Sequence, residues 1–119
     1  NAPQAIGPYS QAVKAGNLMF VSGQIPLDPK TGDLVSDSIE EQAKQVLKNV
    51  QSICEAAGYS LDDIVKISIF LTDLSNFGIV NDVMKEYFSE PYPARATVEV
   101  SALPLGVNVE IEAIVLIND

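Results

Sequence analysis

From Ile39 to Ala57, apolar side chains return every three or four positions: Ile39, Ala43, Val46, Leu47, Val50, Ile53, Cys54 and Ala57. That spacing draws one stripe down the side of a helix, and such a stripe is expected to face a core. The chemistry at its ends agrees. Ser38 and Glu41 stand as S-x-x-E, in which each side chain can satisfy an orphan backbone amide. Gly58 suits the left-handed residue that closes a helix. In the stretch that follows, "DIVKISIFLTD", the period drops to two. Val65, Ile67, Ile69 and Leu71 share one face of a strand, and Lys66, Ser68, Phe70 and Thr72 line the other. The helical period resumes from about Ser75 to Phe88, with Phe77, Val80, Val83, Met84 and Tyr87 as its buried positions.

Strands are expected at both ends of this central part. "SQAVKAGNLMFVSGQ" reads as two short strands turning at Ala15-Gly16-Asn17, and "DPKTGD" as a turn. "ARATVEVSA" and "NVEIEAIVLI" read as two final strands, and the Pro and Gly of "LPLGV" between them favour a tight reversal. The order strand, strand, helix, strand, helix, strand, strand predicts an α+β two-layer sandwich, a mixed sheet with two helices on one face. The other face is expected to carry Arg95, Thr97, Glu99 and Ser101 from one strand and Glu110, Glu112, Ile114 and Leu116 from the next. With Phe70, its apolar members are too exposed for a monomer, so a homo-oligomer is expected.

Composition narrows the chemistry. At 47% hydrophobic and 19% charged, the 119 residues suit one globular domain, 1–119, without repeat or linker. No apolar run is long enough to cross a membrane and no leader pattern opens the chain, so a cytoplasmic protein is expected, with a few residues missing ahead of Asn1. Histidine is absent and Cys54, the lone cysteine, lies on the helix stripe, where it reads as a small buried hydrophobe. Ser-His-Asp and Cys-His catalysis are thereby excluded, along with most zinc and iron sites, and no metal is expected. A net charge of −9 without a basic cluster repels nucleic-acid phosphate.

Arg95 is the only arginine, behind Pro91 and Pro93 in "PYPARATVEV". One reading is a surface ion pair, which contributes little. The other is a bidentate anchor for a carboxylate or phosphate, a geometry that a guanidinium fork matches and an ammonium does not. The flanking prolines stiffen the approach, and Ala94 and Ala96 leave room beside it. Glu110 and Glu112 alternate inside an apolar run. They read either as charges that discourage edge pairing or as a partly buried carboxylate able to handle a proton or orient water. A short reversal at 103–107 sets Glu110 beside Ser101 or Glu99, on the order of 10 Å or more from Arg95. Joint service to one small ligand would then cross a subunit boundary.

"NAPQAIGPYSQAV", "FVSGQIPLDPKTGDL", "DIVKISIFLTDLSNF", "YPARATVEV" and "VEIEAI" together resemble the RidA family over nearly the whole chain. The resemblance implies a chorismate-mutase-like fold and a homotrimer with three pockets at the subunit interfaces. It implies cofactor-free hydrolysis of 2-imino acids such as 2-iminobutanoate and 2-iminopropanoate, and of their enamine tautomers, to 2-keto acids and ammonia. Arg95 then matches the residue that holds the substrate carboxylate, helped by the backbone amide of Thr97. Glu110 matches the residue associated with the attacking water. Tyr9, Ser22, Gly23 and Phe77 match pocket-lining positions, and Asn81 a further one. The plainer reading of Tyr9, core packing with its hydroxyl satisfied locally, is the less favoured of the two. Many members carry cysteine where this chain has Thr97, which puts thiol-based regulation in doubt. A non-catalytic binder of keto or amino acids would use the same anchor. A ribonuclease or translation inhibitor is disfavoured by charge.

Overall fold

The structure, a computed structural model, describes residues 10–35 and 38–118. Helix α1 (Ile39–Ala56) starts where Ser38 Oγ accepts a hydrogen bond from the Glu41 amide at 3.1 Å. It closes at Gly58, whose φ of +89° is a left-handed conformation, with the Gly58 and Tyr59 amides bonding back to the carbonyls of Glu55 and Cys54. The stripe read from the sequence is inside: Ala43, Val46, Leu47, Val50 and Cys54 are fully buried.

Strand β3 (Ile64–Leu71) buries Ile67, Ile69 and Leu71 as its alternation predicts, but Val65 does not join them. The register slips between Ile64 and Lys66; the extra residue turns Val65 outward, 42% exposed, and gives Ile64 the inward place. Helix α2 (Phe77–Tyr87) follows a 3-10 turn at Leu74–Asn76 and buries Val80, Val83 and Met84. Phe77 and Tyr87, expected inside, are 38% exposed and half-buried respectively. Phe77 lies under Arg95 at the sheet edge, outside the core.

The sheet adds β1 (Ala12–Ala15), β2 (Leu18–Gln24), β4 (Ala94–Glu99) and β5 (Val109–Leu116). Its order is β1-β2-β5-β3-β4, with β3 and β4 parallel and every other neighbouring pair antiparallel. The two-layer sandwich with a mixed sheet is therefore present, but the tight reversal from β4 to β5 is not. Helix α2 carries the chain over to β4 as a parallel neighbour of β3. The chain then turns at Pro104–Gly106, and β5 takes the place between β2 and β3. Val109, Ile111, Ala113 and Val115 make β5 the better central strand, since all four bury against the helices, whereas β4 has no fully buried residue.

This register also corrects the assignment of faces. Arg95, Thr97 and Glu99 pair with the buried Ile67, Ile69 and Leu71, so they lie on the helix side. Glu110 and Glu112 pair with Phe70 and Ser68 on the open side. Ser101 lies beyond the end of β4. A period of two tells which residues of one strand share a face; only pairing with neighbours tells which face it is. The open face also carries Phe20, Val98 and Leu116, each more than two-fifths exposed, with half-buried Phe70 and Ile114 between them.

Candidate functional site

Arg95 stands at the head of β4 beside α2. Its Nη1 donates to Oδ1 of Asn81 at 2.7 Å, and its guanidinium carbon lies 5.0 Å from the Phe77 ring centroid. A neutral amide and an aromatic face orient the fork without neutralising it. Among the described residues no carboxylate forms an ion pair with Arg95, although acidic residues outnumber basic ones by sixteen to seven. The nearest carboxylate on its strand and face, Glu99, is engaged elsewhere: its Oε1 accepts from the Leu74 amide at 2.8 Å and pins the turn that leads into α2. Arg95 and Glu99 thus tie the start and middle of the Leu74–Tyr87 segment to the edge strand.

A cleft of about 340 Å³ opens at this point, lined by Asn81, Met84, Lys85, Tyr92, Pro93 and Arg95. Its wall holds two cations, an amide, a phenol and no carboxylate, which suits a small anion with an apolar portion. Two residues along β4, the Thr97 hydroxyl is buried and has no hydrogen-bond partner among the described residues. Lys85 and Tyr92 carried no sequence signal, Met84 read only as a core position and Pro93 only as a stiffener of the Arg95 approach; the packing of α2 against the head of β4 gathers all four at the cleft.

Glu110 is elsewhere. It sits half-buried on the open face, and burial, helped by the neighbouring Glu112 charge, raises its pKa from the ordinary glutamate value. Beside it, Ser22 and Gly23 form a bulge between Val21 and Gln24, two residues facing Glu112 alone. The Ser22 hydroxyl donates to the Ser10 carbonyl, and its amide to the Gln11 carbonyl at 2.9 Å. Arg95 pairs through Ile67 with the level of Ala113, three residues from Glu110 and two strands away. The backbone separation is about 14 Å by strand geometry, with the two side chains on opposite faces. One chain does not bring them to one small ligand.

Comparison with known proteins places these groups in a family. The family model described as Endoribonuclease L-PSP matches residues 1–117. A RutC family protein of Pyrococcus horikoshii is 57% identical over 114 residues, 96% of this chain and 90% of that one. The crystal structure of RidA from an Antarctic Psychrobacter is 54% identical, with a TM-score of 0.94 over 98% of this chain and 94% of that one. The chain belongs to the RidA family. A further relative, from Mus musculus, carries the name 2-iminobutanoate/2-iminopropanoate deaminase and is 50% identical over 113 residues, 95% of this chain and 84% of its own.

The positions matched to the RidA family fall into two groups in this chain. Asn81 and Arg95 line the cleft beside α2, Phe77 lies against the Arg95 guanidinium, and Thr97 follows two residues along β4 on the same face. Ser22, Gly23 and Glu110 gather at the bulge on the open face. Tyr9 lies outside the described residues. Asn81 proves to be the residue that fixes the Arg95 fork. Among the described residues no group of three or more Cys, Asp or Glu side chains is placed to hold a metal ion, and no helix is long and apolar enough to cross a membrane. Burial pushes the Cys54 thiol up to about 11, so it offers no thiolate near neutral pH.

Proposed function

We propose that this protein hydrolyses 2-imino acids and their enamine tautomers to 2-keto acids and ammonia, in pockets shared between copies of the chain. The observation that carries the reading is Arg95: a guanidinium oriented by Asn81 and Phe77, bordering a cleft and without a carboxylate partner among the described residues. Such a group is ready for a ligand carboxylate, with the Thr97 amide as a second donor. Glu110 supplies the proton chemistry. Because it lies on the opposite face and about 14 Å away by strand geometry, it serves the Arg95 cleft of a neighbouring copy. A homotrimer with three such pockets, closed over the apolar open face, satisfies this geometry.

The reaction asks little of the protein. A protonated imine is already electrophilic at C2, and Arg95 fixes that carbon by holding the adjacent carboxylate. Water adds to C2 and gives a proton to Glu110, leaving a carbinolamine. Glu110 returns that proton to nitrogen. The C–N bond then breaks as the hydroxyl oxygen forms the carbonyl, and the hydroxyl proton passes to the departing ammonia. The elevated pKa of Glu110 suits this two-way role, since it brings the carboxyl nearer to neutrality.

A second reading rests on the same anchor: Arg95, Asn81 and the cleft form within one chain without Glu110, so binding a keto or amino acid requires no turnover. The endoribonuclease description belongs to the family model; a net charge of −9 and the absence of histidine disfavour that chemistry here. The test is a coupled assay in which an amino-acid oxidase or threonine dehydratase supplies the imine. Accelerated loss of imine is expected, abolished in Glu110→Ala while 2-keto acid binding persists. No acceleration over spontaneous hydrolysis for any imino acid supplied would leave the binding reading in its place.

A further inference from the structure

Gly23 has no conformational reason to be glycine. The left-handed glycines among the described residues are Gly16, Gly32, Gly58 and Gly106, and Gly23 is not one of them. What sets it apart is space. A Cβ at Gly23 would stand 2.0 Å from Oε2 of Glu110, 2.8 Å from its Cδ and 3.1 Å from its Cγ. A Cβ essentially never comes within 3.0 Å of an unbonded heavy atom, and two of these contacts are shorter than that, so any side chain at position 23 must displace the Glu110 carboxyl. The obstructing atoms are the far end of a side chain, so the carboxyl swings away and the backbone stays. Of the six glycines whose surroundings are described, only Gly23 has anything within 4 Å of such a Cβ.

The bulge supplies the recess. Its extra residue leaves Ser22 and Gly23 opposite Glu112, and the carboxyl of Glu110 lies across the backbone of Gly23. On β3, Phe70 is the direct partner of Glu110. The charged groups on this face are Glu112 on the same strand and Lys66 on β3, two partner positions further along beyond Ser68; β2 contributes none. The carboxyl is therefore held between a phenyl ring and a bare stretch of backbone, with no cation as its direct neighbour among the described residues.

We propose that Gly23 is a positioning residue for Glu110: its missing side chain is the recess that holds the carboxyl against β2 and fixes the direction from which it meets the ligand. The proposal rests on the reading of Glu110 as the proton-handling group. It adds that the identity of residue 23 is set by that carboxyl and by nothing in the backbone. The elevated pKa of Glu110 accords with this, because the recess shields the carboxyl from water.

The test uses Gly23→Ala in the full chain, followed by carbon-13 NMR titration of the Glu110 carboxyl, which needs no turnover. The midpoint is expected to fall toward that of an ordinary glutamate as the carboxyl swings into water. In the imine assay, kcat should drop at least about tenfold while KM changes less than about threefold, because the Arg95 fork that holds the substrate carboxylate is left in place and only the proton-handling group moves. An unmoved Glu110 midpoint overturns the proposal. If Gly23→Ala does not fold, the double variant Gly23→Ala/Glu110→Ala decides: recovered folding upholds the clash with the carboxyl, and continued failure overturns it. Absence of imine hydrolysis by the unmodified protein would sink the hydrolase reading alone, and the carboxyl titration would still decide the role of Gly23.

Discussion

Arg95 and Glu110 sit in contrasting surroundings. The guanidinium is held by an amide oxygen and an aromatic ring and borders a cleft. Arg95→Lys keeps the charge but loses the planar fork that Asn81 orients. It should lower kcat/KM by about 100-fold, close to 2.7 kcal/mol of transition-state binding, with the thermal midpoint unchanged. Near-wild-type imine hydrolysis by that variant would falsify the anchor. Glu110 is desolvated, and its consequence for stability has a definite sign. A carboxyl whose folded pKa is raised binds its proton more tightly folded than unfolded. Stability therefore falls as pH rises from the ordinary glutamate value of 4.5 through the raised folded one. Glu110→Gln removes that loss. Its thermal midpoint, measured against the unmodified protein, should gain more near neutral pH than near about pH 4. An equal gain at both would show that the carboxyl is not desolvated in the folded state.

Among the elements, α1 contributes the most to the core and none of the cleft lining. Leu47 is fully buried in the middle of its stripe, beside Val46 and Val50. Leu47→Ala should cost about 2–5 kcal/mol in denaturant unfolding, the usual range for a buried leucine that leaves a cavity. The midpoint should shift at unchanged slope, and imine hydrolysis by the folded fraction should be unaffected. Helix α1 also fixes the loop after β2: the buried Asn49 amide donates to the carbonyls of Ile25 at 3.2 Å and Leu27 at 2.9 Å. Helix α2 plays a different part. It is shorter and exposes Phe77, but Asn81 and the turn before it are tied to Arg95 and Glu99 of β4. The edge strand and the helix it comes from thus form the cleft together.

In the whole molecule, each face of the sheet has its own role. Helices cover one face. The other presents Phe20, Val98 and Leu116, exposed, around the half-buried Phe70 and Ile114. If that face closes against further copies, a charge placed within it should open the assembly. Leu116→Glu is expected to shift the mass measured by analytical ultracentrifugation from trimer toward monomer and to abolish imine hydrolysis with it. A monomeric unmodified protein that turns over imine at full rate would refute both the trimer and the shared pocket.

The chain by itself determined the elements. A period of 3.6 between Ser38 and Gly58 and of two along β3 depends only on neighbours in sequence, so α1 and most of β3 could be read directly, as could the fold class. Arg95 and Glu110 stood out by composition and by their place in apolar runs. Tertiary structure decided the rest. Periodicity says that Arg95, Thr97 and Glu99 share a face but leaves open which one, and pairing with Ile67, Ile69 and Leu71 puts them toward the helices. Sequence adjacency suggested that β4 and β5 were neighbours, yet the parallel crossover through α2 and the apolar register of β5 place β3 between them. The bulges at Val65 and at Ser22–Gly23 could not be placed from the chain alone, because a one-residue slip is set by the partner strand. Those long-range pairings put Arg95 and Glu110 on opposite faces, which is why the proposed hydrolysis calls on a second copy of the chain.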